Sequence, residues 1–270
     1  MNRASATAKI NLALVVGPLR DDGRHEVATV MQRIDLADRV EIEPADALRV
    51  DGFAADTLVR DALLLLAREA GVEPRWHARI EKRIPVAAGL GGGSSDAATA
   101  LRLANELLDD PVPDLHALAA SLGADVPFFL CDGPRLATGT GTDIEPLALP
   151  QDYWVVLALP NGAVKESTAA VYARFDERGG AGGFDERRDE LLDTLARVRR
   201  SGDLALLPAN DLVSSPLAGR LRDASAFRAD VSGAGPAVYG LFKRAGDARA
   251  AAAAVEPAAR VWITAPAWYG

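Results

Sequence analysis

The sequence predicts an α+β chain of two lobes, and three observations lead there. The first half mixes short strand patterns with helical ones. A glycine-rich stretch, "PVAAGLGGGSSD" at 85–96, separates a strand pattern from a helical one. The second half runs strand, helices, strand, strand, helix, strand, which is the order of a split-βαβ, ferredoxin-like sandwich. The boundary is expected near Leu149 to Asp152, giving lobes of 1–150 and 151–270.

Each element has its own signal. "SATAKINLALVV" and "RVEIEP" read as strands. "TLVRDALLLLAREAG" places Leu58, Ala62, Leu63, Leu66 and Ala70 on one helical face, with Gly71 as the stop. "RWHARIEKRIPV" alternates Trp76, Ala78 and Ile80 against His77, Arg79 and Glu81, as a half-buried strand does. "SDAATALRLANELLDD" continues the glycine stretch as a helix, and "PDLHALAASLG" is a helix capped by Asp114 and stopped by Gly123. "YWVVLALP" at 153–160 is a buried strand, and helical patterns follow at 167–178, 186–200 and 211–224. "DERGGAGGFDER" at 176–187 reads as a loop, "RADVSGAGPAVYGLF" as strand, glycine turn and strand. "GDARAAAAAV" reads as a helix and "RVWITAP" as the closing strand, with the aromatics of "APAWYG" packed on the second lobe.

Composition narrows the function. The chain has 270 residues and a net charge of −8, with no segment that concentrates Lys and Arg. That balance argues against nucleic acid or an anionic membrane as the main partner, while leaving room for a local anion site. No apolar run approaches the ~18 residues of a membrane span, and the start lacks a cleavage signature, so the expected compartment is the cytoplasm. Cys131 is the single cysteine, which rules out an internal disulfide or a thiolate zinc cluster. It is expected to be a buried small hydrophobe before the turn "DGP". His77 and His116 read as lone surface histidines without a role.

The glycine stretch is the chemical signal. A P-loop needs Gly-Lys-Ser/Thr at its helix, and no Gly-Lys dipeptide occurs. Protein kinases need "HRD" and "DFG" segments, which are absent. A dinucleotide fingerprint wants an acid about 20 residues on, at the end of a second strand, where this sequence has helix. What remains is a loop whose backbone N–H groups turn towards an anion and deliver it to a helix N-terminus. Ser94 and Ser95 would cap that helix and offer hydroxyls to a phosphate or its magnesium ion.

"PVAAGLGGGSSDAA" resembles the second motif of the GHMP kinase superfamily, "ATAKINLAL" its first and "VSGAGPAVYGLF" its third. Their order and spacing cover nearly the whole chain. "DDGRHEVATVMQRIDLAD" and "LGADVPFFL" are similar to the branch that phosphorylates a hydroxyl of 4-diphosphocytidyl-2-C-methyl-D-erythritol with ATP and Mg2+. The resemblance implies the two-lobed GHMP kinase fold and a site residue by residue. Lys9 and Asp125 match the catalytic pair, with Asp125 as general base and Lys9 keeping it ionised and oriented. Pro85, Val86, Ala87, Ala88, Gly89, Leu90, Gly91, Gly92, Gly93, Ser94 and Ser95 match the ATP loop. Asn11, Arg24, His25, Thr168 and Tyr172 match substrate positions, His25 hydrogen-bonding the cytosine and Tyr172 forming one aromatic wall.

Three positions depart from that pattern. Arg24 stands where the family usually has Tyr, and its guanidinium can stack on a ring or meet phosphate. Thr142 stands where an acid is common, and Ala234 replaces the usual Ser of "SGAGP". No metal-ligand cluster is visible, so Mg2+ is expected to arrive with ATP. A homoserine or mevalonate kinase is the same-class alternative, against which "DGRHE" and "GADVPFF" speak. A catalytically silent sensor would not need Lys9 and Asp125, and a diphosphate decarboxylase is a further alternative.

Overall fold

Two long strands organise the chain. The computed structural model describes residues 2–53, 57–163 and 166–267. Strand β1 spans Asn2–Leu19 and β2 spans His25–Pro44, paired antiparallel with Lys9 opposite Arg33. The remaining elements follow as β3 (Arg49–Asp51), α1 (Thr57–Ala70), β4 (Trp76–Glu81), α2 (Gly92–Asn105), α3 (Leu115–Leu122), β5 (Arg135–Thr138) and β6 (Asp143–Pro146). Along its free side β2 is shared by β5, at Thr29–Met31, and β4, at Arg39–Pro44, in a sheet of order β3-β4-β2-β5-β6 with β1 on β2. A second sheet begins at β7 (Trp154–Pro160). It is followed by α4 (Thr168–Glu177), α5 (Phe184–Arg197), α6 (Pro216–Asp223), β8 (Arg228–Val231), β9 (Val238–Phe242), α7 (Ala245–Val255) and β10 (Ala259–Thr264). Its order β10-β7-β9-β8, antiparallel throughout, is the ferredoxin-like arrangement the sequence implied.

The hydrophobic pattern explains how the layers stack. One core gathers Val59, Leu63 and Leu66 of α1, Ala97 and Leu101 of α2, and Ile42, Ala78 and Ile80 of the first sheet. Another joins the two sheets, with Ile10, Leu12, Val30 and Ile34 against Val155, Leu157, Tyr239 and Leu241. A third lies between the second sheet and α6 and α7, through Leu221, Phe242, Ala251 and Val255. Val171 and Phe175 of α4 meet Leu14, Val16 and Val27, which fastens α4 over the turn between β1 and β2.

Several local expectations need correction. β2 is far longer than "RVEIEP": Val27 to Gln32 are all buried, so both faces of the strand lack the polar alternation that marks one. β3, β5, β6 and the short 3-10 helix at Pro127–Leu130 carried no sequence signal strong enough to read. The helix pattern at 211–224 is helical only from Pro216, because the Asn210 side chain accepts from Leu212 N–H and Ser215 caps α6. α4 runs to Glu177 and α5 starts at Phe184, so the loop is shorter than 176–187. Cys131 is half-buried rather than buried, and burial pushes its thiol pKa up. His77 is held by Asp51 at 2.8 Å and Glu43 at 3.4 Å rather than standing alone. Trp268 and Tyr269 of the tail lie outside the described residues.

Candidate active site

The glycine loop is clamped before it turns. Asp38 on β2 is buried, accepts from the N–H groups of Arg83 and Ile84 at 2.5 and 2.8 Å, and pairs with Lys82 at 2.5 Å. Lys82 also stands 2.6 Å from Asp96 of α2. Burial works to lower the Lys82 pKa, but Asp96 and Asp38 outweigh it and the net shift is upward. The loop therefore leaves β4 and enters α2 with both ends tied to one cation.

Backbone conformation then demands glycine. Gly89 has φ 80, and a Cβ there would stand 2.5 Å from the carbonyl oxygen of Ser232 and 2.8 Å from that of Gly235. Gly91 has φ 69, and a Cβ there would stand 2.8 Å from the Phe129 ring and 3.1 Å from Lys9 Cγ. Only a residue without a side chain fits such approaches. The loop also leans on the second lobe, since Ser232 Oγ donates to Gly89 O at 3.0 Å and Ala237 N–H to Ala88 O at 3.0 Å. Gly91 is the N-cap of α2, so the helix begins earlier than the serines suggested. Ser94 lies within the first turn, and Ser95 is buried with its N–H donated to Gly91 O at 2.9 Å. Neither serine is a cap. The N–H groups of Gly92, Gly93 and Ser94 are the ones a helix start leaves without an intrahelical acceptor.

Lys9 and Asp125 come together at this loop. β1 places Lys9 beside it, with its backbone N–H donated to Leu90 O at 2.9 Å. The buried ammonium donates to Asn11 Oδ1 at 2.6 Å and stands 3.3 Å from Asp125 Oδ2. Asn11 Nδ2 donates to Thr29 Oγ1 at 2.8 Å, which itself donates to Ala13 O at 2.7 Å. Asn11 is thus a buried prop for Lys9. Asp125 sits in the turn between α3 and the 3-10 helix, which is anchored by buried Phe128 and Phe129.

A third cluster lies across from the loop. The His25 ring is 4.7 Å from Tyr172 between centroids, with planes inclined at 38°, and 6.1 Å from Phe175. Its Nε2 is 2.8 Å from Asp176 Oδ1. Burial first, and the charge of Asp125 second, push the Tyr172 phenol up to about 12, so Tyr172 offers a neutral ring. Arg24 is exposed beside His25, and Thr168 opens α4 after the Ser167 cap.

One cavity of about 940 Å³ joins these groups. Its wall includes Lys9, Asn11, Arg24, His25, Pro85 through Ser94, Asp125, Thr168 and Tyr172, whereas Ser95 is not part of it. This volume is at the upper end for ligand sites. Two helix starts face it, that of α2 through Gly92–Ser94 and that of α4 through Thr168–Ala169. Among the described residues no group of three or more His, Cys, Asp or Glu side chains is placed to hold a metal. Ser94 and Asp125 supply oxygen donors on the wall, which suits an ion carried mainly by phosphate oxygens.

Comparison with known proteins decides among the small-molecule kinases. A family model described as the GHMP kinases N terminal domain matches residues 57–133. The 4-diphosphocytidyl-2-C-methyl-D-erythritol kinase of Chlorobium phaeovibrioides is 37% identical over 93% of this chain and 91% of its own. The enzyme of the same name from Bacillus pumilus is 39% identical over 88% of this chain and 87% of its own. A crystal structure of 4-(cytidine 5'-diphospho)-2C-methyl-D-erythritol kinase superposes with TM-score 0.79 at 34% identity, covering 98% of this chain and all of the other. The chain belongs to the 4-diphosphocytidyl-2-C-methyl-D-erythritol kinase family. In this member, the first motif supplies Lys9, the second the loop and the third the turn that supports Gly89.

Sequence reasoning missed parts of this kinase's cavity. Met31, Phe53, Thr57, Leu58 and Lys82 line it on the far side of the glycine loop, and Lys82 stands 5.9 Å from the Phe53 ring centroid. Asp176 and Leu212 line it near His25. Thr140 lines the wall where Thr142 was singled out, and the two hydroxyls are 3.2 Å apart. "EKRIPV" carried the only available hint of Lys82, as a cation leading into the loop.

Proposed function

We propose that this chain transfers the γ-phosphoryl group of ATP to a hydroxyl of 4-diphosphocytidyl-2-C-methyl-D-erythritol, giving the 2-phosphate and ADP in the methylerythritol phosphate route to isoprenoid precursors. The observation that carries the reading is the Lys9–Asp125 pair at 3.3 Å on the wall shared by the glycine loop and the His25–Tyr172 cluster. Phosphoryl transfer asks the protein mainly for positioning and charge stabilisation. Asp125 takes the hydroxyl proton while the new oxygen–phosphorus bond forms and the bond to the β-phosphate oxygen breaks. The Lys9 ammonium fixes the carboxylate and balances charge on the transferred group. The α2 start receives the ATP phosphates, and the α4 start faces the diphosphate of the acceptor. Ser94 on the cavity wall would offer a hydroxyl to a Mg2+ ion carried by the ATP phosphates, and that ion would supply charge neutralisation there, leaving Asp125 free to act as base.

The same reading divides the labour between residues 1–150, an ATP-binding domain, and 151–270, a C-terminal domain that contributes Thr168 and Tyr172 to the acceptor. His25 meets the cytosine edge, with Arg24 and Tyr172 on its two faces. ATP consumption against a panel of 4-diphosphocytidyl-2-C-methyl-D-erythritol, homoserine and mevalonate tests the assignment. Turnover confined to the cytidine substrate is expected, and turnover of homoserine or mevalonate alone would overturn it.

A further inference from the structure

The surroundings of His25 fix which of its ring nitrogens carries the proton. An ionised carboxylate can only accept, so the 2.8 Å contact has Nε2–H donating to Asp176 Oδ1. In the neutral ring Nδ1 is then bare, an acceptor. Among the described residues Nδ1 has no hydrogen-bond partner, and His25 lines the cavity. The ring cannot swing to exchange the two nitrogens easily, because it is only 7% exposed and packs on Tyr172 and Phe175. Tyr172 and Asp176 are four residues apart on α4, hence on one face of the helix.

Asp176 is otherwise hard to place. It is a carboxylate, 44% exposed, on the wall of a cavity read as receiving polyphosphates, where it would repel an anion. Beside a base edge that objection disappears. Cytosine presents an exocyclic amino donor where uracil presents a carbonyl acceptor. A bare Nδ1 accepts from the amino group, and opposite uracil it would face a second acceptor.

We propose that Asp176 is a positioning residue for base selection: by holding the proton of His25 on Nε2, it presents Nδ1 as the acceptor that selects cytosine over uracil. The proposal rests on His25 meeting the cytosine edge. It concerns the hydrogen-bond polarity of the ring, which the stacking residues cannot set.

The test uses the intact enzyme with 4-diphosphocytidyl-2-C-methyl-D-erythritol and its uridine counterpart, and 15N-labelled histidine for NMR, with three histidines to assign. In the wild type, His25 should show a protonated Nε2 and a bare Nδ1. Asp176→Ala should give a mixture of tautomers, raise KM for the cytidine substrate about tenfold with kcat within about twofold, and reduce the cytosine preference about tenfold. A wild-type proton on Nδ1 would overturn the proposal. So would an Asp176→Ala protein that keeps its preference while His25→Gln loses it, and in that case cytosine reading by His25 still stands. If His25→Gln also keeps the preference, the cytosine reading itself fails and the proposal falls with it.

Discussion

The ammonium of Lys9 and the carboxylate of Asp125 stand 3.3 Å apart, the first 5% exposed and the second 40%. That asymmetry separates their work. In the proposed reaction Asp125 meets the incoming hydroxyl and Lys9 acts from behind, held by Asn11 and by the backbone of the glycine loop. Asp125→Asn and Lys9→Ala should each lower kcat by ~10²-fold or more, the scale of a lost general base. The double variant should be little worse than either single one, because the two act as a unit. Circular dichroism and ATP titration should show fold and nucleotide binding retained. Near-normal turnover in folded Asp125→Asn would remove the assignment.

The loop glycines should divide into two kinds. A Cβ at Gly92 would stand 3.2 Å from Ile84 Cγ2, and Gly92 has no positive φ, so Gly92→Val should fold with a small loss of Tm. Its side chain presses on Ile84 and, at 3.4 Å from Cβ, on Lys82 Nζ, shifting the α2 start proposed to receive the phosphates, and the ATP Kd should rise about tenfold or more. Gly89→Ala meets both a left-handed backbone and a carbonyl at 2.5 Å. It should lower Tm by about 4 °C or more, from roughly 1–3 kcal/mol of strain. Thermal melts without nucleotide, set beside ATP titrations, separate the two.

Arg24 should contribute a stack against the base opposite Tyr172. Arg24→Ala should raise KM for the cytidine substrate roughly tenfold, within the ~1–3 kcal/mol range of base stacking, and leave that for ATP unchanged. Arg24→Tyr should restore it. If both variants are equally damaged, and both less so at high salt, the guanidinium meets phosphate instead. Tyr172→Phe should match the wild type, since the phenol stays neutral until about pH 12, while Tyr172→Ala should behave like Arg24→Ala.

Lys82 should matter for folding as well as for the cavity. Lys82→Met leaves two buried carboxylates facing each other, at a cost of about 3–5 kcal/mol. The sign of its pH dependence follows from the upward shift of the folded-state pKa. The contribution is fully present below the ordinary lysine value of 10.5 and is lost as pH rises through the folded value. The gap in Tm between wild type and variant should therefore hold steady from pH 7 to about 9. A gap that closes across that window would contradict the assignment.

What the sequence revealed followed local periodicity. α1, α3 and β4 were legible because one face of each is buried and the other is wet. β2 was not, since burial on both sides erases the alternation, although it carries His25, Thr29 and Asp38. Lys9 and Asp125 were legible only through motifs, because nothing local marks a contact between a strand residue and a distant turn. The Lys82–Asp38–Asp96 cluster left only the hint of a lysine leading into the loop, and the Asp176–His25 bond left no trace, for each joins elements brought together only by tertiary packing. Ser94 and Ser95 misled because Gly91, in a left-handed conformation, can open a helix without any side-chain cap.

The props beneath the glycine loop have a temporal meaning. Ala88 and Gly89 are braced by Ala237 and Ser232, which the ribosome adds 143 or more residues later. Domains form from the N-terminus as the chain emerges. A nascent first lobe can thus bury α1 and α2 against its sheet while its glycine loop still lacks those two supports. A chain cut before Ser232 should therefore fold its first sheet and helices yet leave the loop backbone at Ala88 and Gly89 less protected from hydrogen exchange than in the full chain.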